Sequence, residues 1–439
     1  MPVLGEAMSF RFRSKFRTRM LLSGLMALVT MAAKGQDHRF PEALASQVRV
    51  SMPPTERAEG DDILAREFWQ VLSNDLSSTG PFQVLQGPGR PGTPDTQDLL
   101  LSTKLVRGHI RPFMVHVQAQ DGHTGNPVFK KAYEGSPALI RRMAHRIADD
   151  FTEKITGLRG TAESRIVFSQ ETNPGVKEIF QMDRDGRGLT QLTHFKSLSL
   201  SPSLSPDGRL AYITYKGGPP EIWGQRVPGG PQMRLYPIGS NRTDVLLSPS
   251  WSPVGNKLAF VESDPTGHCD VMMLDLDRNQ ISRLTSREGR NTEPAWDPTG
   301  RRIAFTSDRR GTPQIYVMES DGASPRPITT GGSANSEPSW KPTGSHIAYV
   351  SRSAGQHDVF IYDLSNGKST RITRGNGSYE SPVWSPDGRW IAFTNSISGT
   401  SRLMVAICSA VLLVNWDSWP KSSHLIGHAA ADPPFLEVL

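Results

Sequence analysis

The chain has 439 residues, with 40 glycines and 34 prolines, and carries a formal net charge of +6. That length allows two or three domains, and the abundance of turn-forming residues is typical of all-β structure. The charge does not indicate a nucleic-acid-binding protein, because five basic residues lie within residues 1–33 and no basic stripe interleaved with aromatics follows them. The only cysteines, Cys269 and Cys408, fall in opposite repeats of the ring described below, so we expect no disulfide between them.

The first 33 residues are typical of a secretory signal peptide. Five basic residues between Arg11 and Arg19 precede an apolar segment from Met20 to Ala33, which is too short to span a bilayer comfortably. The small residues that end this segment are suited to cleavage. We therefore expect residues 1–33 to be removed and the product to be a soluble exported protein, which in a Gram-negative cell resides in the periplasm.

Residues 34–160 predict a small α/β domain. An amphipathic helix is expected over residues 62–76, with Ile63 on its broad apolar face. A second helix is expected over residues 136–157, because apolar residues recur every four positions from Leu139 onward and a glycine ends the pattern. Strands are predicted for residues 82–85, 99–106 and 113–119.

From about residue 161 onward, one unit recurs along the chain. Its Pro-x-Gly turns are 47, 45, 44 and 44 residues apart and begin at Pro206, Pro253, Pro298, Pro342 and Pro386. An apolar triplet such as Ile303–Phe305 follows each turn, and a sixth triplet, Ile166–Phe168, precedes them at the same period. Such a period is typical of β-propeller blades. The sequence therefore predicts a mainly β fold, with a six-bladed β-propeller over residues 161–439 preceded by the small α/β domain.

The fourth unit shows how one blade is expected to fold, and the sixth departs from it. Strands in the fourth unit are predicted for residues 293–296, 302–306, 314–318 and 325–329. After Met404 the pattern changes to a continuous apolar run, Val405–Val414, so residues 405–439 are predicted to be an aberrant tail. Either a true variant of the repeat or a shifted reading frame would produce it. Because the first unit lacks an inner strand, the C-terminus must supply one, and Ala431–Pro434 sits at the expected position.

Three strings in the chain resemble the TolB family. Residues 141–157, followed by Ser164–Phe168, resemble the junction between that family's two domains, and Asn291–Trp296 resembles its repeat. The resemblance implies a periplasmic, non-enzymatic component of the Tol-Pal system that needs no cofactor. Such a protein links inner-membrane Tol proteins to the peptidoglycan-associated lipoprotein Pal, maintains outer-membrane integrity and supports constriction during cell division.

The residues themselves indicate no catalytic site and no metal site. Gly-x-Ser-x-Gly is absent from the sequence. His109, His116 and His123 are seven residues apart, which on strands places them on alternating faces rather than around a metal. Asp183–Gly186 resembles a fragment of a calcium loop but lacks the ligands that follow in such loops, so we interpret it as a turn. His145 is interpreted as a helix-packing or capping residue.

What remains is a binding surface where the innermost strands begin. Each innermost strand contains a proline of its own, upstream of the Pro-x-Gly turn. By blade geometry, we expect the two residues that precede this proline in each repeat to lie together at one mouth of the central channel. The partner-binding candidates there are Ser248, Thr292, Glu293, Ser336, Glu337, Glu380 and Ser381. One alternative is that they only cap strands and line a water-filled channel. The resemblance implies that Pal docks on this face, with Thr292 and Glu293 as the best contact candidates.

The resemblance also implies that the mature N-terminal segment engages TolA, through Lys34, Gly35, Gln36 and Asp37. The polar character of this segment fits a flexible peptide. A competing class is an exported propeller hydrolase or lyase acting on a peptide or saccharide, and a third possibility is a propeller that binds a small ligand. An enzyme would need a histidine in register with the mouth glutamates, and the sequence offers none there. We expect a monomer that reaches membranes only through its partners and binds no nucleic acid.

Overall fold

The computed structural model describes residues 48–57, 61–78, 81–86, 98–107, 113–205, 207–227, 229–236, 245–286, 288–331, 334–353, 355–407 and 413–415. The predicted signal peptide, the segment Lys34–Asp37, Cys408 and the expected closing strand at 431–434 lie outside these residues. The chain forms two compact units, and Cys269 is buried as a free thiol.

The α/β unit extends to Ile166 and also includes Met182–Leu189. The predicted boundary at residue 160 falls a few residues earlier. The loop beyond that point stays with the α/β unit because the Asp149 carboxylate accepts the backbone N–H groups of Ala162 (2.6 Å) and Glu163 (3.0 Å).

This unit is built on a five-stranded mixed sheet with the order β2-β1-β3-β4-β5. The strands are β1 (Val48–Met52), β2 (Phe82–Gln86), β3 (Asp98–Val106), β4 (Phe113–Asp121) and β5 (Pro127–Gly135). Strand β1 runs parallel to β2 and β3, whereas β3, β4 and β5 are antiparallel neighbours. The helices are α1 (Asp62–Ser78) and α2 (Ile140–Thr156). Within the part of the chain that the structure describes, neither helix is long and apolar enough to cross a membrane.

Phe151 of α2 is at the centre of the core of this unit. Its ring lies 5.3 Å from that of Phe82 and 5.7 Å from that of Phe129, measured between centroids. The apolar faces predicted for the two helices extend further toward the N-terminal ends than the faces that are buried in the structure. Ile63 in the first turn of α1 is 78% exposed, and Leu139 is 45% exposed because it belongs to a 3₁₀ turn that precedes α2.

The second unit is a six-bladed β-propeller with one sheet for each predicted repeat. Blade 1 has three strands, β6 (Arg165–Asn173), β7 (Val176–Asp183) and β8 (Thr190–Gln191). Blades 2 to 6 have four antiparallel strands each, numbered from the inner strand outward. They are β9 (Ser199–Leu204), β10 (Arg209–Thr214), β11 (Glu221–Arg226) and β12 (Met233–Tyr236); β13 (Val245–Trp251), β14 (Lys257–Ser263), β15 (Cys269–Asp275) and β16 (Gln280–Arg283); β17 (Asn291–Trp296), β18 (Arg302–Ser307), β19 (Gln314–Glu319) and β20 (Arg326–Pro327); β21 (Ala334–Trp340), β22 (His346–Ser353), β23 (Gln356–Asp363) and β24 (Ser369–Arg371); and β25 (Ser378–Trp384), β26 (Trp390–Ile397), β27 (Thr400–Ile407) and β28 (Leu413–Asn415).

The sixth blade follows the repeat further than the sequence pattern indicates. Strand β27 continues past Met404 to Ile407, and β28 pairs with it, with Val405 opposite Val414. The third and fourth strands of this blade therefore include residues from the predicted tail. An apolar run serves as the third and fourth strands of this blade because pairing uses backbone groups and needs no alternation of polar residues. Residues 416–439 lie outside the described chain.

A tryptophan near the end of the inner strand joins neighbouring blades. Three indole N–H groups donate to carbonyl oxygens of the preceding blade: Trp296 to Ser250 (3.1 Å), Trp340 to Ala295 (3.1 Å) and Trp384 to Ser339 (3.2 Å). Trp251 occupies the same position in blade 3, but its buried Nε1 makes no hydrogen bond within the described residues. Across the residues that the structure describes, the tryptophan at this repeat position is thus hydrogen-bonded in blades 4, 5 and 6 but not in blade 3.

This difference predicts unequal costs for the same substitution. Trp340→Phe should lower the free energy of unfolding by about 1–2 kcal/mol more than Trp251→Phe, because only Trp340 loses a hydrogen bond. The pair is matched, since each indole also lies under an arginine, Arg302 at 4.8 Å and Arg209 at 4.5 Å. Urea unfolding of both variants measures the difference, and equal losses would contradict the role assigned to the indole hydrogen bond.

Candidate functional site

Left-handed backbone recurs at one position of five inner strands. In each of these strands, the residue directly before the strand's own proline has a φ between +47° and +56°. These residues are Ser201, Ser248, Glu293, Glu337 and Ser381. At each of them a β-bulge shifts the register between the inner strand and its neighbour. A positive φ is uncommon outside glycine and persists only where the surroundings hold it. The partner-binding candidates from the sequence therefore include the bulge residues of blades 3 to 6, and Ser201 is the equivalent residue of blade 2.

The glutamates at this position connect one blade to the next. Glu293 Oε2 in blade 4 accepts the backbone N–H of Glu337 in blade 5 at 2.8 Å, and also the hydroxyl of Thr306 at 2.8 Å. Glu337 Oε2 in turn accepts the backbone N–H of Ser381 in blade 6 at 2.5 Å. Each carboxylate thus satisfies a backbone donor that the bulge takes out of the strand ladder.

Burial and crowding of like charges make these carboxyl groups weak acids. The pKa of Glu337 is well above its ordinary value because the group is desolvated and lies near the carboxylates of Glu293 and Glu380. The pKa of Glu293 is also raised, by burial first and by the charge of Glu380, although the bonds from Glu337 and Thr306 oppose the shift. These residues therefore form a cluster of partly buried carboxyl groups in which each negative charge disfavours the ionisation of its neighbours.

Glu380, the residue before the bulge in blade 6, contacts a histidine. Its Oε1 lies 2.5 Å from Nδ1 of His357 on β23 of blade 5, and the side chain of His357 is 36% exposed. The expectation that no histidine is in register with the mouth glutamates is therefore wrong. His357 belongs to the neighbouring blade, so the spacing within one unit does not reveal it. A comparison of the repeats does single out His357, because the equivalent positions of blades 3 and 4 hold Cys269 and Pro313 rather than histidine.

The remaining mouth candidates lie beside the bulges. Thr292 and Ser336 are half-buried and pair with Thr306 and Val350 in the second strands of their blades. Ser248 is half-buried within its own bulge, where blade 3 offers a hydroxyl in place of a carboxylate. Acidic side chains at this level thus belong to blades 4, 5 and 6, whereas blades 2 and 3 present serine.

The raised pKa of Glu337 predicts a pH-dependent contribution to stability. A carboxyl group whose folded pKa exceeds its unfolded value stabilises the fold most when protonated, and this stabilisation is lost as pH rises from about 4.5 toward the folded pKa. Glu337→Gln keeps an oxygen for the Ser381 N–H and cannot ionise. We expect the variant to gain stability relative to the native chain as pH rises above about 4.5.

Thermal unfolding of the native chain and Glu337→Gln across this pH range measures the effect. Glu337→Ala is the control, since it removes both the charge and the acceptor and should be less stable than Glu337→Gln at every pH. A difference between the native chain and Glu337→Gln that is independent of pH would contradict the assignment.

Comparisons with known proteins agree with this architecture. Residues 152–412 match the family model described as PD40, TolB beta propeller domain. A protein TolB homolog of Chlorobium luteolum is 34% identical over 194 residues, which are 44% of this chain and 43% of that protein. The Tol-Pal system protein TolB of Bordetella pertussis is 31% identical over 274 residues, which are 60% of this chain and 61% of that protein. The chain thus spans between two fifths and two thirds of the length of these relatives.

The fold is also that of a solved structure. The crystal structure of TolB from Acinetobacter baumannii aligns with a TM-score of 0.71 over 89% of this chain and 95% of that chain, at 22% identity. That identity bears on the fold alone. The family model covers more than half of the sequence and the six blades are those of a propeller. The chain belongs to the TolB family of β-propeller proteins.

Proposed function

We propose that this chain is a periplasmic component of the Tol-Pal system, without enzymatic activity, that maintains outer-membrane integrity and supports outer-membrane constriction during cell division. In this proposal the propeller mouth binds Pal and the segment Lys34–Asp37 binds TolA. The names of the curated relatives and membership of the family support the role. The signal-like sequence of residues 1–33 supports the compartment.

The observation that carries the docking proposal is the row of carboxyl groups on adjacent inner strands. Glu293, Glu337 and Glu380 belong to blades 4, 5 and 6, and each is partly buried and partly exposed to solvent. Partly buried carboxylates interact strongly with a cation or a hydrogen-bond donor that excludes the remaining water. We therefore expect the docked surface of Pal to present basic or donor groups above blades 4, 5 and 6.

The pair of His357 and Glu380 favours one rival function. A histidine oriented by a carboxylate is a common general base, so a hydrolase or lyase that acts on a peptide or saccharide in the channel is the second candidate. The two functions differ in what the pair does. In the docking proposal His357 holds Glu380 in position, whereas in the enzyme its exposed ring would take a proton from substrate.

A substitution beside the bulge should separate docking from folding. Thr292→Arg places a bulky side chain at the mouth and touches none of the hydrogen bonds that Glu293 and Glu337 make. It should weaken Pal binding at least tenfold, about 1.4 kcal/mol, without lowering the melting temperature. Isothermal titration with purified Pal measures the affinity.

Thr343→Arg is the matched control, because Thr343 is exposed in the turn at the far end of β21. Pal affinity should be unchanged in that variant. Equal Pal affinity in the native chain and Thr292→Arg would remove the mouth as the docking site. Turnover of a peptide or saccharide panel that is lost in His357→Gln, with no Pal bound, would establish the enzyme instead.

The N-terminal segment has its own test. Deleting residues 34–40 from the mature chain should abolish TolA binding and alter the affinity for Pal, if ordering of this peptide is coupled to occupation of the mouth. Replacing the same residues with a Gly/Ser peptide of equal length controls for length. Unchanged affinity for both partners in the deleted chain would contradict the proposal.

A further inference from the structure

A second polar cluster lies inside the α/β unit, away from the propeller mouth. Helix α2 brings His145 next to Asp183 and Asp185 in the turn segment Met182–Leu189, which belongs to the same unit. The nitrogen and carboxylate oxygens that these residues offer all lie within 4.8 Å of one another. The sequence shows the two aspartates as a fragment of a calcium loop without further ligands, and the fold adds a histidine to them.

His145 is held in the orientation of a metal ligand. Its Nδ1 lies 2.6 Å from Asp75 Oδ2, and both side chains are 3% exposed. A carboxylate on one ring nitrogen fixes the tautomer and leaves the lone pair on the other, which is the usual arrangement of histidines that bind metals. Here the other nitrogen, Nε2, is buried and has no hydrogen-bond partner within the described residues. A buried polar atom without a hydrogen-bond partner destabilises the fold, and a bound ligand would supply the missing interaction.

The two aspartates are also held in place. Nε2 of His145 points toward Asp183 Oδ2 at 3.9 Å, beyond hydrogen-bond distance. Gly188 lies against the same oxygen, and a Cβ there would come within 2.7 Å of it. Asp185 Oδ1 accepts the backbone N–H of Arg187 at 3.0 Å. These contacts hold both carboxylates near Nε2 of His145, and none of them is a hydrogen bond to that nitrogen.

We propose that His145 Nε2, Asp183 and Asp185 bind a divalent transition-metal ion of the zinc class. One imidazole and two carboxylates suit Zn²⁺ and its neighbours, whereas Ca²⁺ and Mg²⁺ prefer sites made of oxygen alone. Ligand atoms about 2 Å from a tetrahedral ion are roughly 3.3 Å apart, so the most distant of the three groups need to approach by up to about 1.5 Å. Water would complete the coordination sphere.

Cations already present in the protein are the rivals of the metal. Arg141 Nη2 lies 2.5 Å from Asp185 Oδ2, Arg165 Nε lies 3.6 Å from Asp183 Oδ1, and Arg184 Nη2 lies 4.0 Å from Asp75 Oδ1. Burial lowers the pKa of His145, but the bond to Asp75 and the nearby carboxylates outweigh burial and raise it. A proton on Nε2 therefore competes with the ion, and metal binding should weaken as pH falls.

The test uses the full mature chain without an affinity tag, after treatment with a chelator. Co²⁺ is the spectroscopic probe and Zn²⁺ the competitor, with one ion per chain expected. Asp185→Asn and His145→Gln should each reduce affinity at least tenfold, and Asp75→Asn should reduce it by about 10–100-fold through loss of the orienting carboxylate. His116→Ala is the matched control, since this exposed histidine lies on β4 of the same unit. It should leave affinity and stoichiometry unchanged.

One variant keeps the proposal falsifiable if buried substitutions impair folding. Arg141→Gln removes the competing guanidinium from Asp185 at a half-buried position and should tighten metal binding. A closed network of ion pairs predicts the opposite, namely lower stability and no metal uptake. Absence of binding in both the native chain and Arg141→Gln would overturn the proposal, as would binding that His145→Gln and Asp185→Asn leave unchanged in folded protein.

Discussion

The propeller depends on one backbone constraint, which is that the inner strand of each blade from 2 to 6 is bent by a bulge. A bulge takes a backbone N–H out of the strand ladder, and a buried N–H must find another acceptor. In blades 5 and 6 that acceptor is a glutamate of the preceding blade, since Glu293 accepts from Glu337 and Glu337 from Ser381. In blade 3 a hydroxyl serves nearby, because Ser203 accepts the N–H of Trp251. The backbone N–H that a bulge leaves unpaired in one blade thus finds its acceptor in the preceding blade, and neighbouring blades are connected through their least regular residues.

This constraint bears directly on the docking role proposed for Glu293 and Glu337. A carboxylate that stabilises a bulge has to stay close to the backbone, and the same position crowds it against its neighbours and raises its pKa. The negative charge that would attract a partner therefore carries a cost to the isolated protein. A docked cation would lower that cost, because it favours the ionised carboxyl groups that burial disfavours. In the proposed docking, partner binding and the contact between blades would depend on the same few carboxylate oxygens.

The repeat could be read from the sequence because its signals are local. Proline and glycine fix the turns, and a buried triplet marks each second strand, as Ile303 and Phe305 show by their complete burial. Contacts between distant segments were not accessible in this way. His357 reaches Glu380 from another blade, and His145 meets Asp183 across 38 positions of sequence. The exposure of Ile63 also escaped prediction, since periodicity describes the face of a helix but not where its covering sheet ends.

The repeats also show how a ring of similar blades becomes asymmetric in charge. If every bulge carried the same residue, the mouth would have nearly the same potential all the way round. Blades 2 and 3 instead carry Ser201 and Ser248, whereas blades 4 and 5 carry Glu293 and Glu337, and blade 6 adds Glu380 one residue earlier. Both serine and glutamate hold the same left-handed backbone at the bulge, so the fold tolerates the exchange. Charge at this level therefore differs between blades, and its concentration on three of them would orient a partner on the ring in the docking proposed above.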